Sequence, residues 1–394
     1  MEYQFSNRIS SLQPSLVREI LKATANPEVI PFAAGNPAPD AFPVAEMQRI
    51  IPEILRENPI GALQYSITEG YGPLRDACKA LVENHYHIPM RDNELIVISG
   101  AQQGADLASK IFVNEGDTVL CEDPSFIGCL NCFRSYHCNL VGIEMEQDGV
   151  NLEKLEEAMR QPNVKLFYTI PNFQNPTGIT TSEYKRREIL RLANKYHVMV
   201  LEDNPYGDLR FAGQPVPSIK SMDENGMVIY VGSFSKILAP GVRVGFVVAP
   251  KPVIAKMTVG KQCADVHTNI LAQMACERWL AGSGLEEHLA RIAAIYGKKC
   301  RLMLDCIQQE FAPSVQYTTP EGGLFLWCTL PEGADMLGFC NKAVEKKVAV
   351  VPGIAFLADE SSPCQSFRMN FSTPTDEAIV KGVKILGQLT KELF

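Results

Sequence analysis

From residue 95 onward, short apolar runs alternate with amphipathic stretches in a strand, turn, helix rhythm. Leu95-Ile-Val-Ile98 is a β-branched run, Ser99-Gly-Ala-Gln-Gln-Gly104 a small-residue turn, and Ala105 to Val113 a helical stretch. The rhythm repeats through Asp117 to Glu122, Leu140 to Ile143, the helix Leu152 to Met159, Lys165 to Ile170, the helix Ser182 to Tyr196 and Val198 to Leu201. Apolar runs at Met227 to Val231 and Val244 to Ala249 follow. Short apolar strands separated by helices predict an α/β fold, a doubly wound and mostly parallel sheet with helices on both faces. In such sheets ligands bind beyond the carboxyl ends of the strands.

The flanking regions differ. Residues 11 to 24 place Leu16, Ile20 and Leu21 on one helical stripe, with Ser11 or Ser15 as cap. An irregular Gly and Pro segment, Pro31 to Pro37, precedes a helix near Val44 to Glu57. The turn-rich stretch Gln64 to Pro73 leads into a helical Leu74 to His85. After about residue 270 a long helical region, Ile270 to Gln309, is interrupted at Gly282-Ser-Gly284. Strands at Leu324 to Cys328, Val348 to Val351 and Ser366 to Phe371 and a final helix near Thr375 to Leu393 then read as a smaller α+β unit. A chain of 394 residues is long for one core. The expected organisation is an N-terminal segment 1–35 packing with the small domain, a large domain 36–280 and a small C-terminal domain 281–394.

Composition narrows the partners. Hydrophobic residues make up 46% and charged residues 21%, ordinary values for a protein with a sizeable core. The formal charge of −8, with no basic run longer than Lys185-Arg-Arg187, argues against a nucleic-acid surface. No stretch of about 18 apolar residues predicts a membrane span, and the N-terminus lacks an apolar signal core, so a cytoplasmic location is expected. Twelve cysteines in such a chain are expected as reduced thiols. Cys129 and Cys132 form a lone C-x-x-C with no second pair at ligand spacing; they read as small residues one turn apart on a helix, and no metal is expected.

The chemistry concentrates in Ser233-Phe-Ser-Lys-Ile-Leu-Ala-Pro-Gly-Val-Arg243. Ser233, Ser235 and Arg243 form a natural phosphate cradle. Lys236 in their midst is placed to become a nucleophilic amine that condenses with an aldehyde. A phosphate and an aldehyde on one small molecule is pyridoxal 5′-phosphate. Two further loops leave neighbouring strands, Pro171-Asn-Phe-Gln-Asn-Pro-Thr-Gly178 and Glu202-Asp-Asn-Pro-Tyr206. Taken singly, Asn175-Pro-Thr-Gly178 is also an ordinary turn and Asp203 an ordinary capping carboxylate. Asn175, Asp203, Tyr206, Lys236 and Arg243 together, on loops from successive strand ends, point to one site.

The set Asn-Pro-x-Gly, Asp-x-x-Tyr, Ser-x-Ser-Lys and an arginine seven residues on resembles the fold-type I, class I/II aminotransferases that use pyridoxal phosphate. The likeness spans nearly the whole chain, because Gly322 to Trp327, Pro352 to Phe356 and Phe367 to Ser372 are similar to C-terminal landmarks of that family. Gly70 to Asp76, Ser99 to Gly104 and Phe173 to Gly178 most resemble the branch with 2-aminoadipate and kynurenine aminotransferases. The resemblance implies Lys236 as covalent anchor and proton shuttle, and Asp203 against the pyridine nitrogen. It implies Tyr206 and Asn175 at the phenolic oxygen, and Ser233, Ser235, Arg243 and the turn at Ala101 and Gln102 on the phosphate. Phe126 would stack on the cofactor, Arg368 would clamp the substrate α-carboxylate and Asn36 would border it. Tyr65 matches a tyrosine that reaches the phosphate of the neighbouring subunit, which implies a homodimer with a shared active site. Ala101 departs from the pattern, since many relatives carry a hydroxyl there.

The implied reaction moves the amino group of an L-amino acid to a 2-oxo acid, with 2-oxoglutarate as the expected acceptor, by a ping-pong scheme. A β-lyase on cysteine-type substrates would use the same groups. A regulator's aminotransferase-like module is a third reading; the matching signature begins by about residue 30, which leaves no room ahead of it for a DNA-binding helix-turn-helix.

Overall fold

The computed structural model describes residues 3–10, 12, 26, 28–282 and 284–394. The helix expected over 11 to 24 falls almost wholly outside the described residues. Eight strands form the principal sheet: β1 (Asn93–Ile98), β2 (Thr118–Asp123), β3 (Asn139–Glu146), β4 (Gly149–Val150), β5 (Val164–Thr169), β6 (Met199–Asp203), β7 (Val228–Ser233) and β8 (Gly245–Pro250). Their order is β1-β8-β7-β6-β5-β2-β3-β4. The inner ladders β3/β2, β2/β5, β5/β6 and β6/β7 are parallel, whereas β8 runs antiparallel to both β7 and β1. Because β8 is reversed on both sides, β1 points the same way as β7. The carboxyl ends of β1, β2, β5, β6 and β7 therefore share one edge, and Arg243 arrives at that edge just before β8 begins.

The central strands are apolar on both faces, as burial between two helical layers requires. Leu201, Ile229, Val231 and Val247 are fully or almost fully buried and join one cluster with Phe325, Leu326 and Met369 of the second sheet. That second sheet is antiparallel, ordered β11-β12-β10-β9, and comprises β9 (Gln316–Tyr317), β10 (Phe325–Thr329), β11 (Val351–Pro352) and β12 (Ser366–Asn370). The helices Leu285–Glu310 and Asp376–Leu393 pack against each other.

Several expectations shift by a few residues for identifiable reasons. Val348 bridges Ile30 in parallel, with Ile30 N–H donating to Lys347 O at 2.8 Å and Ala349 N–H to Ile30 O at 3.0 Å. The run expected as a strand over 348 to 351 thus pairs largely with the N-terminal segment, and β11 is confined to Val351–Pro352. The helix Lys251–Gln262 was not expected, because its buried face carries Thr258, Gly260 and Lys261 beside Ile254 and Met257, which breaks the apolar periodicity. Among the described residues no helix is long and apolar enough to cross a membrane. The Cys129 and Cys132 pair does lie on one helix, Ile127–Ser135, and all twelve cysteines are free thiols.

Candidate active site

A cavity of roughly 370 Å³ opens at the shared strand edge. It is lined by Asn36, Ala101, Gln102, Phe126, Asn175, Asp203, Tyr206, Ser233, Ser235, Lys236, Arg243 and Arg368. Every residue expected around the cofactor and substrate is there except Tyr65, which stands 83% exposed outside it, with its ring edge-on to His267.

Each side chain is held by its element. Asp203 is not in a loop, as expected, but is the last residue of β6, fixed opposite Val231 of β7. Tyr168 of β5 donates to Asp203 Oδ2 at 2.9 Å. Burial raises the Asp203 carboxyl to about pKa 7, with the Tyr168 bond opposing and the Glu122 charge adding to the rise. Glu122 itself is buried and saturated: Thr169 Oγ1 donates at 2.5 Å, Ile170 N–H at 3.0 Å and Gln174 Nε2 at 3.1 Å. It thereby fastens the start of the loop that carries Asn175.

Ala101 and Gln102, expected in a turn, form the first turn of the helix Ala101–Phe112. Backbone amides in a first turn have no partner within the helix and attract an anion. Gly100 precedes them at φ +82°, and a Cβ there would collide with the guanidinium of Arg243. That guanidinium spans the turn and the lysine loop, donating to Ser99 O at 3.3 Å and to Ser235 Oγ at 3.4 Å. Behind the turn, buried Lys261 donates to both oxygens of Asp265 and to Gln103 Oε1, each at 2.8 Å, while Ser99 Oγ donates to Asp265 Oδ2 at 2.6 Å.

Lys236 is half-buried and donates to Gly35 O at 2.8 Å. Burial, then the charges of Arg368 and Arg243, lower its ammonium to about pKa 8. Arg368 of β12 is 4% exposed, with its guanidinium 4.3 Å over the Phe325 ring centroid and 5.0 Å from that of Phe356. It donates to Asn175 Oδ1 at 2.8 Å and Ala33 O at 3.0 Å, and Asn175 Nδ2 donates to the Tyr206 hydroxyl at 3.3 Å. Burial lowers Arg368 to about pKa 10 and pushes the Tyr206 hydroxyl up. Asn36 contributes its carbonyl, which accepts from Ser372 Oγ at 2.7 Å and Thr373 Oγ1 at 3.0 Å.

A buried cation, an amine of lowered basicity and a protonatable carboxylate around one small cavity suit chemistry on an anionic, amine-reactive molecule. The class I and II aminotransferase family model matches residues 27–386. The chain belongs to the class I and II aminotransferases. It is 39% identical over 99% of its length to aromatic-amino-acid aminotransferase 1 of Thermococcus litoralis, covering 95% of that protein. It is 38% identical to 2-aminoadipate transaminase of Thermus thermophilus, covering 99% of this chain and 97% of the relative. The structure of Pyrococcus horikoshii kynurenine aminotransferase, solved in complex with PMP, superposes with a TM-score of 0.95 at 38% identity, over 98% of this chain and 97% of that one.

As a member of this family the chain is a pyridoxal-phosphate-dependent aminotransferase. Its own atoms fit the cofactor. Among the described residues only four buried side-chain polar atoms lack a partner, and two of them, Asp203 Oδ1 and Arg368 Nε, belong to residues that line this cavity. Buried polar atoms are normally satisfied, so a carboxylate oxygen and a guanidinium N–H left unpartnered here suit a cationic ring nitrogen and a carboxylate. Sequence reasoning missed Tyr168, which reads as a core aromatic within an apolar strand, and the carbonyls of Ala33 and Gly35, which carry no side-chain signal.

Proposed function

We propose that the chain acts as a cytoplasmic homodimer that transfers the amino group of an aromatic or 2-aminoadipate-type L-amino acid to 2-oxoglutarate. The observation that carries the residue roles is the convergence of Lys236 Nζ, the free Oδ1 of Asp203 and the buried guanidinium of Arg368 on one cavity. When bound, pyridoxal phosphate supplies an aldehyde that condenses with amines and a ring that draws electrons from the α-carbon.

The chain's groups then divide the work. Lys236, made a weaker base by burial, offers a neutral amine near pH 8 to take the α-proton and return it. Asp203, oriented by Tyr168, would hold the ring nitrogen with its unpartnered Oδ1. Asn175 and Tyr206 would hold the phenolic oxygen, and Phe126, which lines the cavity, would pack against the ring. Ser233, Ser235, Arg243 and the amides of Ala101 and Gln102 take the phosphate at a helix N-terminus. Arg368 binds the α-carboxylate with its planar fork, bordered by Asn36.

The donor range follows the substrates named for the two curated relatives. Dimerisation is supported by Tyr65, whose exposed ring has no role in its own cavity. A reducing compartment is supported by the twelve free thiols. Residues 36–280 and 281–394 are proposed as the two domains that meet at the cavity.

The test is the purified enzyme with a panel of L-amino acids and 2-oxoglutarate, alongside Lys236→Ala. Aromatic and 2-aminoadipate donors are expected to yield glutamate, and Lys236→Ala to lose the absorbance of the lysine-linked cofactor. Ammonia and pyruvate without amino transfer, or a band that survives in Lys236→Ala, would overturn the reading.

A further inference from the structure

Lys236 lies between two stretches that one helix ties down. Helix Leu285–Glu310 carries His288 in its first turn, with Nε2 2.6 Å from the carbonyl of Ile237, the residue after Lys236. One turn on, Arg291 Nη2 lies 3.2 Å from His288 Nδ1 and 3.2 Å from Ala41 O, and its Nη1 lies 2.6 Å from Asp40 O. Tyr296, further along the same helix, accepts the Ala38 amide at 3.2 Å. The segment held in this way begins at Gly35, whose carbonyl accepts from Lys236 Nζ at 2.8 Å. The bonds close a ring: amine to Gly35, along the chain to Asp40 and Ala41, through Arg291 and His288 to Ile237, and back to Lys236.

The ring dictates a protonation state. A guanidinium has donors only, so Nδ1 must accept from Arg291 and the imidazole proton must sit on Nε2, where it donates to Ile237 O. His288 is therefore neutral in this arrangement; a second proton would go onto Nδ1, against Arg291. His288 is 8% exposed, with the Trp279 ring edge-on at 5.3 Å. Burial lowers its basicity, the Ile237 bond opposes that, Arg291 lowers it further and the charge of Glu46 raises it. Glu286 and Glu287 share its helical turn, whose N-terminal dipole disfavours a cation.

We propose that His288, keyed by Arg291, is a positioning residue for Lys236: a neutral imidazole sets the Ile237 carbonyl against the segment that supplies Gly35 and so fixes the amine within the cavity. The inference rests on the reading of Lys236 as the reacting amine. Neither His288 nor Arg291 lines the cavity, so both act through Lys236 and Gly35.

The test compares holoenzyme carrying His288→Leu or His288→Gln. Glutamine offers both an N–H and a carbonyl but does not titrate. His288→Leu is expected to lower kcat roughly tenfold while the donor KM moves less than about twofold, and to shift the pH titration of the lysine-linked cofactor's absorbance by about half a unit or more. His288→Gln is expected to restore both at pH 8 and to remove an acid-side loss of kcat that wild type shows at a pH below the ordinary histidine range. Nitrogen-15 NMR, with His288→Gln identifying the resonance, is expected to show the Nε2–H tautomer at pH 8. An Nδ1–H tautomer, an unshifted titration in His288→Leu, or equal defects in both variants would overturn the inference. A band that persists in Lys236→Ala would instead fell the reading beneath it.

Discussion

Tyr168 donates to one oxygen of Asp203 from the neighbouring strand, and the other oxygen, Oδ1, has no partner among the described residues. A buried carboxylate satisfied on one side only is expensive to ionise. Its rise from 3.8 to about 7 corresponds to about 4 kcal/mol. The sign follows from proton binding: between pH 4 and 7 the folded state keeps a proton that the unfolded state releases, so stability falls as pH rises through that window. Asp203→Asn is expected to make the cofactor-free protein more stable than wild type by a few kcal/mol above about pH 7. The gain should vanish toward pH 4, and activity should fall by at least about a hundredfold. Urea unfolding of the cofactor-free proteins across that range checks this; a gain that does not grow with pH contradicts it.

If Lys236 anchors the cofactor as proposed, its lowered basicity sets the pH at which attachment proceeds. Only the neutral amine condenses with an aldehyde, and burial together with Arg368 and Arg243 brings its pKa to about 8. Cofactor uptake by stripped enzyme is expected to speed up with pH and to reach half its maximum near pH 8. Stopped-flow absorbance after mixing with pyridoxal phosphate measures this, and a rate that follows an ordinary lysine with a midpoint of about 10.4 argues the reverse.

Arg368 has two partners, Asn175 Oδ1 and Ala33 O, reached from its two Nη atoms, and its Nε has none. Lysine cannot reproduce that fork. Arg368→Lys is expected to raise the donor KM by roughly 30- to 100-fold, since a charge-assisted bidentate contact is worth a few kcal/mol. Spectral titration of bound cofactor should stay normal, and weakened cofactor binding would move Arg368 out of the substrate-holding role.

Gly100 combines φ +82° with a Cβ position already filled by the Arg243 guanidinium. Gly100→Ala should cost about 1–3 kcal/mol of stability from backbone strain and weaken pyridoxal-phosphate binding at least about tenfold by displacing Arg243. Equilibrium dialysis and thermal unfolding separate the two effects. Unchanged dialysis would mean that Arg243 does not grip the phosphate.

Tyr65 offers a test of the shared site. Hybrid dimers made from a Lys236→Ala subunit and a Tyr65→Ala subunit hold one intact site if the tyrosine acts across the interface and none if it acts within its own chain. Isolated hybrid dimers are expected to recover about half the wild-type activity, and a mixture re-paired at random about a quarter.

The principal sheet was legible because its apolar runs are cleanly bounded by Gly, Pro and Asn turns, and the shared edge followed from strand alternation. What escaped was polar structure hidden inside apolar patterns. Lys261 faces inward on Lys251–Gln262 and disguised that helix. Tyr168 looked like core, since the acceptor for its hydroxyl lies on another strand. The Asn-Pro after Asp203 reads as the start of a loop, yet pairing with Val231 extends β6 through Asp203. The carbonyls of Ala33 and Gly35 are set by long-range bonds that no local pattern encodes.

The reversed direction of β8 has a consequence for the order in which the site assembles. Ser233 lies directly opposite Gly245, so the loop bearing Lys236 is closed by contacts between near neighbours in sequence. Arg368 meets Asn175 across 193 residues of chain. Loop-closure entropy favours the near contact first. All eight strands of the principal sheet, and every residue proposed to hold the cofactor, are complete by residue 250. The residues proposed to hold the cofactor are thus all synthesised before the arginine proposed to admit a substrate.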